Sequence, residues 1–132
     1  MPATQTLTAS RNATWGPTLN YDYPGAALPL DGATIAMQLR LYPGQPEEAQ
    51  LSLPEIDFVE QLLSGTVGAA TEVRRLTLSP VATPAVLRDL PVAGEAGDAV
   101  AFAFDILITY ADGVSEILSS GQFIVSPGVT IA

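Results

Sequence analysis

The longest regular pattern in the chain is the alternation over residues 99–126, AVAFAFDILITYADGVSEILSSGQFIVS, which sets Val100, Phe102, Phe104, Ile106 and Ile108 on one side. A repeat of two is the mark of a half-buried strand, because successive side chains point to opposite faces. Asp112-Gly113 interrupts the run near its middle, so the segment predicts a hairpin, and that dipeptide favours a two-residue type I′ turn. Such a turn sets Ala111 opposite Val114. Tyr110 then meets Ser115, Ile108 meets Ile117, Ile106 meets Ser119, Phe104 meets Gly121, Phe102 meets Phe123 and Val100 meets Val125. One face of the ribbon is nearly all apolar. The other carries Ala101, Ala103, Asp105 and Thr109 against Ile124, Gln122, Ser120 and Glu116, with Leu107 beside Leu118. A slip of one residue would turn the aromatic row out to water. Gly121 is expected to make room for the Phe104 ring.

The same reading places a second strand over Ala33 to Tyr42, after an Asp31-Gly32 turn, with Ile35, Met37, Leu39 and Leu41 on one side and Gln38 and Arg40 on the other. Pro43-Gly44 and the polar residues to Glu48 end it in a loop. Ser52 and Glu55 have capping-box spacing, and Phe58, Leu62 and Leu63 share a helical face, which predicts a helix ending near Gly65. A strand through Ile56 to Val59 followed by an irregular loop is the competing reading. Val73 to Leu78 predicts a strand with a possible bulge at Arg74-Arg75. Thr83-Pro84 predicts an N-cap and one or two helical turns stopped by Pro91. Ala93 to Asp98 is a loop, and Val129 to Ala132 is a terminal edge segment. Residues 1–18 read as an extended arm, and residues 19–132 as the folded domain.

Composition sharpens this picture. The 132 residues suit one domain, 48% are hydrophobic, and 11 Gly and 11 Pro without a period cut the chain into the short segments of an all-β fold. Fourteen acids against five arginines leave a net charge of −9, which disfavours nucleic acid and anionic membrane surfaces as partners. The longest apolar run is too short to span a bilayer as a helix, and MPATQTLTAS has neither the basic region nor the apolar core of a secretory signal. Asn12-Ala13-Thr14 matches a glycosylation sequon but reads as an ordinary loop.

Cysteine, histidine and lysine are absent, and with them the usual nucleophile and base pairs, Schiff-base chemistry, P-loop chemistry and sulfur-ligated metals. Carboxylate chemistry is what remains. Asp57, Glu60, Asp105 and Glu116 sit in apolar settings, where a pair of acids serves a glycosidase and a cluster serves calcium, but no Asp-x-Asp-x-Asp loop occurs. Trp15, Tyr21, Tyr23, Tyr42 and Tyr110 are the rings from which a sugar-stacking platform could be built. Carboxylates that solvate a sheet, and rings that fill a core, are the plainer readings. No catalytic, cofactor-binding or metal-ligating residue is nominated.

The order of segments then suggests a family: a leading Trp15, PLDGATIAMQLRLYPG at residues 29–44, RRLTLSPVATPAVLRDL at residues 74–90, and FDILITYADGVSEILSSGQFIVSPGVT at residues 104–130. Over most of residues 14–131 the chain resembles small tailed-bacteriophage structural proteins similar to the amino-terminal domain of baseplate upper proteins. Its ending, Val125-Ser126-Pro127-Gly128-Val129-Thr130, is the most specific part of the likeness. The resemblance implies an immunoglobulin-like antiparallel β-sandwich with one or two short helices, without enzymatic activity or cofactor, located in the virion at the tail or baseplate. The expected partners are other virion proteins and copies of the chain itself, with residues 1–18 lying on a neighbouring subunit and ordered only in the assembly. A head decoration or head-to-tail joining protein and a carbohydrate-binding sandwich module are the alternatives.

Overall fold

A computed structural model describes residues 3–46, 48–66, 68, 71–91, 95 and 97–129, which form a two-sheet β-sandwich. The strands are β1 (Ala3–Ser10), β2 (Leu19–Pro24), β3 (Thr34–Arg40), β4 (Leu51–Leu53), β5 (Asp57–Ser64), β6 (Val73–Ser79), β7 (Val100–Thr109) and β8 (Ser115–Ser126), with a short helix α1 at Pro84–Arg88. One sheet has the order β1-β8-β7-β3-β4 and the other β2-β6-β5. All pairings are antiparallel except β1 with β8, which is parallel.

The two inner faces share one core. Ile35, Met37 and Leu39 of β3, Phe102, Phe104, Ile106 and Ile108 of β7, and Phe123 and Val125 of β8 meet Leu76 and Leu78 of β6 across the interior. Leu87 and Leu90 close one side of that core, and Trp15 lies edge-on to Phe123 with ring centroids 4.9 Å apart. The expected helix start at Thr83 is present, its side chain accepting from the Val86 amide with Pro84 in the first turn.

The hairpin register holds at its open end and differs at its tip. Val100, Phe102, Phe104 and Ile106 face Val125, Phe123, Gly121 and Ser119, but Leu107, Ile108 and Thr109 face Ile117, Glu116 and Ser115. A type I′ turn needs two successive positive φ angles, and here Gly113 (φ +90°) has one while Asp112 does not. Asp112 instead uses its Oδ1 to accept from the Val114 amide at 3.0 Å, and Ala111, Asp112 and Gly113 make a three-residue loop. The slip is undone at Leu118, where β8 bulges. Ile117 is therefore exposed rather than opposite Ile108.

Three further expectations change. Residues 57–64 are strand, not helix: Phe58, Glu60 and Leu62 are the half-buried positions, and a spacing of four satisfies a period of two as well as a helical face. The bulge foreseen at Arg74-Arg75 lies across the ladder, between Leu62 and Ser64. Leu41 is exposed, because β3 stops at Arg40. The suggested edge segment at residues 129–132 falls outside the described residues beyond Val129, as do Ala93, Gly94 and Ala96 of the loop before β7.

The amino-terminal segment is not an arm apart from the sandwich. β1 hydrogen-bonds along β8 over its whole length, Leu7 and Ala9 pack on the core, and Trp15 bridges to Ala82. Arg11 is buried, and its guanidinium donates to the carbonyls of Leu87 (3.1 Å), Leu90 (2.7 Å) and Pro91 at the end of α1. A fixed cation there satisfies carbonyls the helix leaves open and complements its dipole. Gly121 (φ +153°) allows the approach of β1, since a Cβ at that position would overlap the Gln5 carbonyl oxygen. The space Gly121 leaves is thus filled by backbone, not by the Phe104 ring.

Arg11→Met keeps the aliphatic stem and removes every donor, so it should cost about 3 kcal/mol through orphaned buried carbonyls. That is about 10 °C in melting temperature for a domain of this size, measurable by calorimetry. Gly121→Ala should abolish hydrogen-exchange protection in residues 4–10 while protection in β7 persists; unchanged protection of β1 would contradict the assigned role of this glycine.

Candidate functional site

β7 sends Ala101, Ala103, Asp105, Leu107 and Thr109 to the outer face of the five-stranded sheet, and the neighbouring strands continue that face in rows. Residues in register lie side by side across strands about 4.8 Å apart. One row runs Thr4, Ser120, Asp105, Gln38 and Ser52 across all five strands; the next runs Thr6, Gln122, Ala103 and Arg40; a third holds Thr8, Ile124 and Ala101. These three rows carry one acid and one base. Asp105 is exposed and accepts no hydrogen bond among the described residues.

At the edge of this face the loop after β3 stands above the sheet. Gly44 (φ +81°) lets it turn. The buried Gln45 accepts from the Leu41 amide through its side chain at 2.8 Å and from the Arg40 guanidinium through its carbonyl at 3.1 Å. Leu41 and Tyr42, 45% and 55% exposed, project from this pinned loop. Between the loop and the sheet lies an open groove of about 420 Å³, floored by Ala103, Ser120 and Gly121 and flanked by Gln38, Arg40 and Asp105. A second groove beside Tyr42 has Ala101, Ala103 and Gln122 along it.

The four acids considered in the sequence are spread over the molecule. Asp57 is exposed at the start of β5, and Asp105 lies on the outer face. Glu60 points inward from β5, accepts from the Tyr23 hydroxyl and lies 3.5 Å from Arg74, which also pairs with the buried Glu72. Glu116, opposite Ile108, accepts from the Tyr110 hydroxyl at 3.3 Å. Glu60 and Glu116 thus both act on the tyrosines at one end of the interior: burial foremost, then Glu116 and Glu60, hold the Tyr110 phenol above its ordinary value. Burial and the bond to Glu60 push Tyr23 up to about 12. The Gly68 amide, with Arg74, holds the Glu72 carboxyl below the usual carboxylate range.

The five rings do not form a platform. Trp15 and Tyr110 are buried, Tyr21 bonds the interior Ser119 at 2.8 Å, Tyr23 bonds Glu60, and Tyr42 alone of these is exposed. Asn12 of the sequon donates to the Pro127 carbonyl at 3.2 Å, tying the loop after β1 to the end of β8. Among the described residues no group of three acids is placed to hold a metal ion, and no helix is long and apolar enough to cross a membrane. The inward placement of Arg74 and the position of the Tyr42 loop above the sheet escaped the sequence reading, which named Tyr42 only as one ring of a platform. Their only signal was position: Arg74 shares parity with Leu76 and Leu78, and Tyr42 follows the last strand residue by two.

No protein-family model matches the chain, and comparison with curated proteins likewise finds no match.

The interior polar end sets two pH limits. The Tyr23 phenol titrates higher folded than unfolded, so its contribution is complete below its ordinary pKa of 10.0 and is lost as pH rises toward about 12. Tyr23→Phe should therefore flatten the fall of melting temperature in that window. Glu72 titrates lower folded, so its contribution is present above the ordinary carboxylate value and is lost as pH falls through the depressed one. Glu72→Gln should lower stability at neutral pH and weaken the acid dependence, measured by melting at successive pH values.

Proposed function

We propose that this chain is a non-enzymatic structural subunit of a tailed-bacteriophage virion, a component of the tail or baseplate that works by packing against neighbouring virion proteins. The observation that carries the packing role is the outer face of the five-stranded sheet. A chain of net charge −9 has there three cross-strand rows of Thr, Ser, Gln, Ala and Ile with a single acid and a single base. Charge-poor surface with adaptable hydrogen-bonding groups is suited to a partner that must be held without like-charge repulsion. The viral assignment rests on the resemblance of residues 14–131 to the amino-terminal domain of baseplate upper proteins.

Strand order supports the immunoglobulin-like part of that resemblance. Counting β2 to β8 as B, C, C′, D, E, F and G gives one sheet of B, E and D and another of G, F, C and C′, the division found in immunoglobulin sandwiches. The location in the particle follows from the same likeness. Glu60 and Glu116 bond tyrosines and Asp105 lies on the packing face, so each has a structural task in this reading.

Particles purified on a density gradient should contain the chain at a fixed copy number, read by quantitative mass spectrometry. Placing charges on the face with Thr6→Glu and Ile124→Glu should reduce incorporation at least tenfold with the melting temperature nearly unchanged. Recovery of the wild-type chain in the soluble fraction alone would refute the virion role, and imaging of labelled particles separates tail from head.

A further inference from the structure

The outer face carries a projection and a recess side by side, and we propose that two copies of the chain pair face to face about a two-fold axis, each inserting Tyr42 into the other's groove. This rests on the packing role just assigned and names its first partner. Tyr42 is 55% exposed, yet its loop is tied back through Gln45 by two hydrogen bonds, which reduces the conformational entropy lost on binding. An exposed tyrosine on a tied loop is the kind of residue that anchors an interface. The groove between the loop and the sheet, flanked by Pro43 and Gly44, has a volume of about 420 Å³, well above the 150 Å³ or so in which a benzene ring is held. Its floor of Ala103, Ser120 and Gly121 has no large side chain to displace.

Chemistry and symmetry agree on the occupant. Asp105 stands at the groove without a hydrogen-bond donor among the described residues, and a phenol entering there brings one. Projection and recess share one face of one sheet, so a copy that fills the recess presents that same face, and a two-fold arrangement lets both insertions form at once in an isologous, self-closing contact. Charge selects this face as well. Two chains of net charge −9 repel over most approaches, whereas the rows around the groove oppose one acid and one base to the same pair.

The closing test is sedimentation equilibrium of the purified full chain across concentration. The wild-type chain should dimerise. Tyr42→Ala, which removes the projection, and Ala103→Gln, which fills the recess, should each weaken the dimer about a thousandfold, since each homodimer loses both anchors. An equimolar mixture of the two variants keeps one intact anchor and should associate about thirtyfold more tightly than either alone. Melting curves of both variants should match the wild type. A wild-type chain that stays monomeric to millimolar concentration, a Tyr42→Ala dimer as tight as the wild type, or a mixture no tighter than its components would each overturn the pairing. Such results combined with normal incorporation into particles would leave the virion role standing and remove the two-fold contact alone.

Discussion

Burial of one face of the β7–β8 ribbon is the interaction on which the rest depends. Phe102, Phe104 and Phe123 are nearly inaccessible, and each such ring contributes about 1.5–3 kcal/mol when removed from water. The ribbon supplies two central strands of the five-stranded sheet, so β3 docks on one side and β1 on the other. Leu76 and Leu78 of the opposite sheet complete the dry interior. The polar groups in this interior are correspondingly paired: Ser119 has Tyr21, and Glu60 has Tyr23 and Arg74.

Two short-range devices convert the amino-terminal stretch from a loose segment into part of this body. Gly121 admits the β1 backbone, and Arg11 fastens the following turn to the end of α1. Each joins residues far apart in the chain. β1 positions Arg11, and Arg11 holds the turn that leads Trp15 back over Phe123. The result is a sandwich whose edge strand is held at both ends.

What is left outside is unlike what is inside in an ordered way. The interior end near Tyr23 and Tyr110 concentrates charged and phenolic groups, with the Tyr23 and Tyr110 phenols held above and the Glu72 carboxyl held below their ordinary values, while the outer face of the larger sheet is almost without charge. In the proposed reading that division separates the region that stabilises the fold from the face that packs on a partner. Packing through the face with the Tyr42 loop would leave the ionised interior end undisturbed.

The alternating patterns make the central architecture legible in the sequence: β3, β6, the β7–β8 ribbon, the Thr83 cap and the paired rows from Val100 to Ile106 all follow from spacing and turn residues. Such features are set by neighbours a few positions away, which is why a linear pattern contains them. Tertiary structure decided the remainder. Phe58 and Leu62 fit a helix or a strand equally well, and only the open edge of β6 made them strand. The turn at Asp112 gave up one residue of register that a bulge at Leu118 restored, a trade that keeps Phe123 and Val125 inside. Arg11 and β1 found partners up to 117 positions away (Ser126 with Ala9), and Arg74 reached Glu60 on the neighbouring strand; contacts between separate segments are fixed by packing. Periodicity records which face of a segment avoids water; which other segment covers it is settled when the whole chain closes.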